Sequence, residues 1–176
     1  MAQPQPLFAP LELHTSRLRL RPWRLHDLPE FHLLWSDPDV IFWQPTRSLD
    51  ESRSQFSRLL SLEHDGLAAF RVSTGEDDGF VGNALLRRAP YEDGLEVGWH
   101  LMRKCWRRGY ATEAAHAVCD YAFRSLGVPQ LTAIVLPDNR RSSAVADRLG
   151  MQQDGLIEHE GLLHDRYVLY PSLLRA

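Results

Sequence analysis

Residues 95–126 join a strand, a basic turn and a long helix with few residues between them. The apolar pattern of residues 95–102 predicts a strand, and from Ala111 to Leu126 apolar residues recur on one helical face until Gly127. A helix that begins directly after a strand directs its unpaired N–H groups and the positive end of its dipole towards the end of that strand. This junction therefore predicts an anion site.

The turn at this junction, RKCWRRGY (103–110), has four cationic side chains in its first six residues. A solvated basic turn is the simpler interpretation of such a charge run. Gly109 favours binding instead, because a residue without Cβ lets the backbone approach a ligand closely and adopt a positive φ. Arg107 and Arg108 would then contact phosphate oxygens. Neither GxGxxG nor GxxxxGK[ST] is present to explain the turn.

The rest of the sequence predicts alternating strands and helices. Capping-box patterns at residues 27–30 and 48–51 predict the starts of two helices, the second running to residue 62. Further strands are predicted at residues 17–21, 67–73, 80–86, 130–136, 151–158 and 163–170, and a further helix at residues 142–149. Because 176 residues suffice for one core, we assign residues 15–176 to a single α/β (α+β) domain and residues 1–14 to a flexible, proline-containing tail.

Composition narrows the range of partners. The net charge of −3 argues against a nucleic-acid partner, and no apolar run is long enough to suggest a membrane span. Cys105 and Cys119 form neither a disulfide framework nor, with the histidines, a zinc pattern. We therefore expect a cytoplasmic protein without a bound metal, and a homodimer remains open.

Two stretches resemble the GNAT superfamily of acyl-CoA-dependent N-acetyltransferases. WRRGYA (106–111) is similar to the family's pyrophosphate-binding pattern Q/R-x-x-G-x-G/A, and residues 139–150 resemble its N-x-x-S-x-x-V-x-x-x-L-G stretch. Trp106 in the first position resembles the branch of ribosomal-protein-alanine N-acetyltransferases (RimJ/RimL type), whereas Arg107 stands where that branch usually has Gly. The resemblance covers roughly residues 15–170.

The resemblance implies a mixed, strongly twisted sheet of six or seven strands flanked by about four helices. The fourth and fifth strands, at residues 95–102 and 130–136, are expected to splay apart and admit the pantetheine arm of acetyl-CoA. The implied cofactor site needs no metal. Its expected residues are Leu101, Met102, Arg103, Arg107, Arg108, Gly109, Tyr110, Ala111, Thr112, Asn139 and Ser142.

Catalytic roles for Glu96 and Ser142 are also implied. Glu96 is placed like the fourth-strand glutamate that serves many GNAT enzymes as general base, and a solvent-facing structural residue is the alternative. His100 shares its face of the strand and would extend a proton path. Ser142 would donate a proton or hydrogen bond to the departing thiolate, and Asn139 would bond the pantetheine amides. Simple roles at a helix N-terminus are the alternatives for both.

The acceptor amine is expected beside Phe42 and Trp43, in the loop between the first two helices, and beside Trp99, although aromatic residues in such a loop also serve as core. The implied partners are an acyl-CoA and a primary amine. We expect a protein or peptide N-terminal α-amine that attacks directly in a ternary complex. The alternatives are a small-molecule amine (aminoglycoside, polyamine or amino acid) and a non-catalytic CoA-binding module.

Overall fold

The computed structural model describes residues 12–60 and 67–175. The strands in these residues are β1 (Leu13–His14), β2 (Leu18–Pro22), β3 (Ala68–Thr74), β4 (Phe80–Arg88), β5 (Leu95–Leu101), β6 (Leu131–Val135), β7 (Gln152–His159) and β8 (Leu162–Leu169). The α-helices are α1 (Leu28–Trp35), α2 (Leu49–Leu60), α3 (Tyr110–Arg124) and α4 (Arg140–Leu149). The strands form one sheet in the order β1-β2-β3-β4-β5-β6-β8-β7, antiparallel throughout except for the parallel pair β5 and β6.

This architecture confirms the mixed α/β class and the predicted order of elements, but the described sheet has eight strands rather than six or seven. The additional strand is β1, in which Leu13 and His14 pair with Leu20 and Arg19. It lies within the segment that the sequence assigns to the tail. Residues 1–11 of that segment, and Leu62 of the predicted second helix, lie outside the described residues.

One of the two predicted capping boxes is present. The N–H of Ser48 donates to the Glu51 carboxylate at 2.8 Å and the N–H of Glu51 donates to Ser48 Oγ at 3.3 Å, as predicted for the start of α2. Helix α1 begins after Asp27 as predicted, but the Asp27 side chain does not cap it. Its carboxylate makes two hydrogen bonds with Arg21, at 2.7 and 2.8 Å, and accepts the N–H of Arg24. An ion pair with Arg21, six residues earlier on β2, therefore engages the carboxylate that the local pattern assigned to a cap.

Small side chains bring α3 close to the sheet. Its fully buried face consists of Ala114, Ala115, Val118, Cys119 and Ala122, and the helix packs against β4 and β5. A face made mostly of alanine and cysteine has little side-chain volume to hold the helix away from the strands. The start of α3 is therefore fixed directly beside the end of β5.

The sheet opens between β5 and β6. These strands pair at one register position, Glu96 with Thr132, whereas β4 and β5 pair along the whole length of β5. Glu96 and Thr132 are each the second residue of their strand, so the strands separate towards their C-terminal ends. The expected splay of the fourth and fifth predicted strands, which are β5 and β6, is confirmed.

Candidate active site

A cleft of about 860 Å³ occupies the opening between β5 and β6. It extends from the turn before α3, through the gap between the strands, to the loop between α1 and α2 and to the β7–β8 hairpin. Small-molecule sites typically measure about 300–1,000 Å³. One cleft therefore joins the predicted cofactor end to the predicted acceptor end.

The turn before α3 has a backbone suited to an anion. Arg107 and Gly109 both have positive φ, 62° and 80°, and Gly109 is the N-cap of α3, where it has no side chain to satisfy the first N–H groups. Trp106 donates its indole N–H to the carbonyl of Leu101 at 2.8 Å, and the Arg141 guanidinium lies 4.1 Å from the centre of its ring. The indole thus ties the turn to the end of β5 and brings a cation from α4 to it.

A contact that the sequence analysis missed holds this turn from the other side. Arg17 donates from Nε to the Glu113 carboxylate at 2.7 Å and from Nη1 to the carbonyl of Arg108 at 3.0 Å. Thr15 also donates to Glu113, at 2.5 Å. We call these contacts of Thr15, Arg17, Arg108 and Glu113 the N-terminal brace. Its members are far apart in sequence, so no local pattern signals it.

Most of the predicted cofactor residues lie together on the cleft wall. They are Leu101, Arg103, Arg107, Gly109, Tyr110, Ala111, Thr112, Asn139 and Ser142. Met102 and Arg108 are not part of that wall. The N–H of Met102 donates to the carbonyl of Val81 and its side chain is buried, while the carbonyl of Arg108 is engaged by Arg17.

Asn139 caps α4 through both ends of its side-chain amide. Its Oδ1 accepts the N–H of Ser142 at 3.2 Å, and its Nδ2 donates to Ser142 Oγ at 3.0 Å. The N-cap alternative is thus present in the structure. Because Ser142 Oγ accepts this bond, its own hydroxyl proton stays available to a ligand in the cleft.

Glu96 lies where β5 and β6 meet, at the closed end of the opening, and its side chain lines the cleft. It is buried, and its Oε2 accepts a hydrogen bond from Arg87 Nε at 2.8 Å across the β4–β5 pair. This ion pair fixes the orientation of the carboxylate.

The predicted acceptor end of the cleft is aromatic. His100, on the same face of β5 as Glu96, lies with its ring centre 4.9 Å from that of Trp35 and 5.9 Å from that of Trp43. Burial lowers the pKa of His100 to about 4, so the imidazole is neutral at pH 7. Phe42 packs edge-on against Trp43 and is half exposed.

Trp99, the third predicted acceptor residue, also lines the cleft but alternates to the other face of β5 from His100. Trp35 was not among the predicted acceptor residues, but α1 places its ring against His100. Within residues 12–60 and 67–175, no cluster of His, Cys, Asp and Glu could hold a metal ion, and no helix is long and apolar enough to cross a membrane.

The positive φ of Arg107 leads to a prediction. Replacing Arg107 by Gly removes a Cβ from a left-handed conformation and is expected to stabilise the unliganded protein by about 0.5–1 kcal/mol. The same change is expected to weaken acetyl-CoA binding roughly 10-fold, about the value of one charge-assisted hydrogen bond. Urea unfolding and calorimetric titration measure the two effects.

Arg107→Ala is the matched control, because it removes the guanidinium but keeps the Cβ. It should lose the same affinity without the gain in stability. Wild-type affinity in both variants would show that Arg107 does not contact the cofactor.

Comparison with known proteins finds similarity along most of the chain. Residues 17–152 match the family model described as an acetyltransferase (GNAT) domain. A Bacillus licheniformis protein named as the uncharacterized N-acetyltransferase p20 is 31% identical over 172 residues, which cover 93% of this chain and 96% of that protein.

Solved structures agree with this similarity. The crystal structure of an acetyltransferase from Agrobacterium tumefaciens has a TM-score of 0.81 and 31% identity, covering 96% of this chain and 99% of its own. Mycobacterium smegmatis RimJ in complex with CoA-disulfide has a TM-score of 0.75 over 93% of this chain and 88% of its own. At 20% identity, the likeness to RimJ shows the fold alone.

Proposed function

This chain belongs to the GNAT family and is an acetyl-CoA-dependent N-acyltransferase, and on that premise we propose that it acetylates a protein or peptide N-terminal α-amine by direct attack in a ternary complex. The observation that supports the proposal is the meeting of β5 and β6 at Glu96, at the closed end of a cleft whose other side has a turn suited to an anion.

The cofactor is proposed to lie along this cleft. Its pyrophosphate would accept hydrogen bonds from the N–H groups at the start of α3, with Arg107 nearby, and its pantetheine arm would follow the gap between β5 and β6. Strand β5 pairs with β6 only at Glu96, so the backbone groups beyond Glu96 that face β6 are available to the pantetheine amides, apart from the Leu101 carbonyl that Trp106 engages. The N–H groups near Trp99 to Leu101 are the proposed donors to the oxyanion.

Glu96 is the proposed general base. An α-amine with a pKa of about 8 costs roughly 1.4 kcal/mol to deprotonate at pH 7, whereas a Lys amine near 10.4 costs about 4.6 kcal/mol. A carboxylate oriented by Arg87, acting directly or through a water, is better suited to an α-amine, whose deprotonation costs less free energy. His100 is neutral and therefore adds no positive charge that would repel a protonated amine on entry.

Ser142 is the proposed donor to the departing CoA thiolate. Replacing Ser142 by Ala is expected to lower kcat about 10- to 100-fold, because one hydrogen bond to a charged sulfur is lost. Replacing Asn139 by Ala is expected to raise the KM for acetyl-CoA instead, and to cost about 1 kcal/mol of stability through loss of the α4 cap. Steady-state kinetics at saturating amine distinguish the two effects.

Ser143→Ala is the control for both variants, because Ser143 bonds only the Asn139 carbonyl in the described structure and does not line the cleft. It should leave both parameters near wild type. Equal kcat losses with an unchanged KM in the Ser142 and Asn139 variants would contradict these assignments.

Thiol release from acetyl-CoA in the presence of a panel of amines tests the function itself. The panel contains peptides with free and blocked N-termini, polyamines, aminoglycosides and amino acids. Turnover that needs a free peptide α-amine supports the proposal. Turnover of one small amine alone would show that the acceptor is that small molecule instead of a peptide. Tight CoA binding without any turnover would instead favour the non-catalytic binding module.

A cytoplasmic location is part of this proposal. Cys105 and Cys119 are both buried as free thiols, which is consistent with a reducing compartment. The proposal includes no metal, no nucleic acid and no membrane partner.

A further inference from the structure

Among residues 12–60 and 67–175, no carboxylate forms an ion pair with Arg47, a cation at the proposed acceptor end of the cleft. It lies in the loop between α1 and α2, and its guanidinium is 4.6 Å from the centre of the Trp35 ring. Its Nη1 is buried and has no hydrogen-bond partner among the described residues. Glu51 and Glu160 act on it through space, and the Glu51 carboxylate is bonded to Ser48.

This arrangement is unfavourable without a ligand. Burial lowers the pKa of Arg47, yet a guanidinium stays charged at every physiological pH. A hydrogen-bonded anion would offset the hydration that this partly buried cation has lost. Because Arg47 is only partly buried and lines the cleft, an anion that enters the cleft can reach its guanidinium.

Three neighbouring side chains are also incompletely bonded. Trp35 Nε1, Gln55 Oε1 and His100 Nδ1 are buried without hydrogen-bond partners among the described residues, and all three side chains line the same cleft as Arg47. Buried polar atoms in native proteins are normally satisfied, so a group of such atoms around one cleft calls for an explanation. A polar ligand would supply it.

We propose that Arg47 binds a carboxylate of the acceptor, so that the preferred acceptor is an α-amine with a carboxylate close to it. The inference rests on the proposed acetyl transfer and specifies its substrate. The carboxylate has two sources: an acidic side chain next to a peptide N-terminus, or the α-carboxylate of a free amino acid.

The positions of the aromatic rings give this binding a direction. Trp35 contacts both Arg47 and His100, and His100 lies on the face of β5 that carries Glu96. A carboxylate held at Arg47 would anchor the acceptor beside Trp35 and direct its amine along β5 towards Glu96. Glu51 and Glu160 are exposed, so water and salt screen their repulsion of the acceptor.

The test compares acceptors that differ in this charge. Values of kcat/KM are expressed per neutral amine, because the carboxylate of phenylalanine also raises the pKa of its own α-amine. One pair is a hexapeptide with Asp or Asn as its second residue, and the other is phenylalanine or phenylalaninamide. For the wild type, kcat/KM is expected to be on the order of 10- to 100-fold higher for the anionic member of at least one pair, mainly through KM. The pair that shows the preference identifies the source of the carboxylate.

Variants of Arg47 test whether this residue causes the preference for the anionic acceptor. Arg47→Gln should bring the ratio within each pair close to one, and Arg47→Lys should restore part of it. Arg53→Gln is the matched control, since Arg53 is an exposed α2 residue that pairs with Asp50 outside the cleft. It should keep the wild-type ratio. Equal kcat/KM within both pairs for the wild type, or a preference that survives in Arg47→Gln, would overturn the inference while leaving acetyl transfer intact.

Binding gives a readout that does not need turnover. Trp35 and Trp43 line the acceptor end, so titration of the CoA-bound protein with each pair, followed by tryptophan fluorescence, measures affinity directly. Tighter binding of the anionic member that is lost in Arg47→Gln supports the carboxylate site even if no acceptor is acetylated, and only the proposed function then fails. Equal affinities within both pairs overturn the carboxylate site.

Discussion

Replacing Glu96 by Gln is expected to lower kcat at pH 7 by about 10² to 10⁴, with the affinity for acetyl-CoA nearly unchanged. Gln keeps an oxygen that can accept the Arg87 hydrogen bond, so the local fold is preserved while the basic carboxylate is lost. The loss should shrink as the pH rises towards 9, because solvent alone then deprotonates an α-amine with a pKa of about 8. A pH profile of kcat measures both effects.

Glu158→Gln provides the control for this change, because Glu158 is an exposed residue of β7 and does not line the cleft. It should have wild-type kinetics. A Glu96→Gln enzyme that is fully active at pH 7 would show that Glu96 is a structural residue, whose pairing with Arg87 only stabilises the region where β5 and β6 meet.

Replacing Gly109 by Val is expected to weaken acetyl-CoA binding by roughly 100-fold or more, since several charge-assisted hydrogen bonds from the turn are disturbed together. The φ of Gly109 is +80°, which a β-branched residue strongly resists. A Cβ there would lie 3.3 Å from Arg17 Nη2, so the new side chain also presses on the N-terminal brace. Calorimetric titration with acetyl-CoA measures the loss.

In Gly109→Val, backbone strain lowers the stability of the protein, and this effect must be distinguished from a loss of affinity for acetyl-CoA. Gly155→Val does this, because Gly155 has a similar φ of +87°, a Cβ there meets no atom within 4 Å, and the residue lies in β7 away from the cleft. Both variants should lose stability, but only Gly109→Val should lose affinity. A folded Gly109→Val protein that binds acetyl-CoA like the wild type would show that the cofactor does not bind at this turn.

The parts of the fold that follow local rules could be predicted from the sequence. The alanine face of α3 and the capping box at Ser48 depend on residues within a few positions of one another, and both are present. Asp27 satisfies the same local rule, but a buried Arg21 competes for its carboxylate. Because an ion pair of this kind forms only once the chain is folded, the local pattern could not reveal it.

The candidate site also has parts that the sequence predicts and parts that it does not. The turn at Gly109 and the α4 start at Asn139 are short, continuous motifs, so the sequence located them. Arg47 had no such signal, because its position beside Trp35 results from how the loop between α1 and α2 returns to the sheet. In a chain where nineteen of the twenty cationic residues are Arg, composition gives no reason to single out one of them.

The single paired position between β5 and β6 has a consequence for how such a protein can evolve. Along the opening the proposed cofactor site is made largely of main-chain groups, and these are present whatever side chains the strands carry. Substitutions can therefore accumulate along the strands without removing the donor site, provided the sheet still opens and the turn at Gly109 keeps its conformation. The proposed acceptor end is made of side chains, including Arg47, Trp43 and His100, so each substitution there is expected to alter what can bind. One scaffold can thus retain a fixed acyl donor while its acceptor diverges.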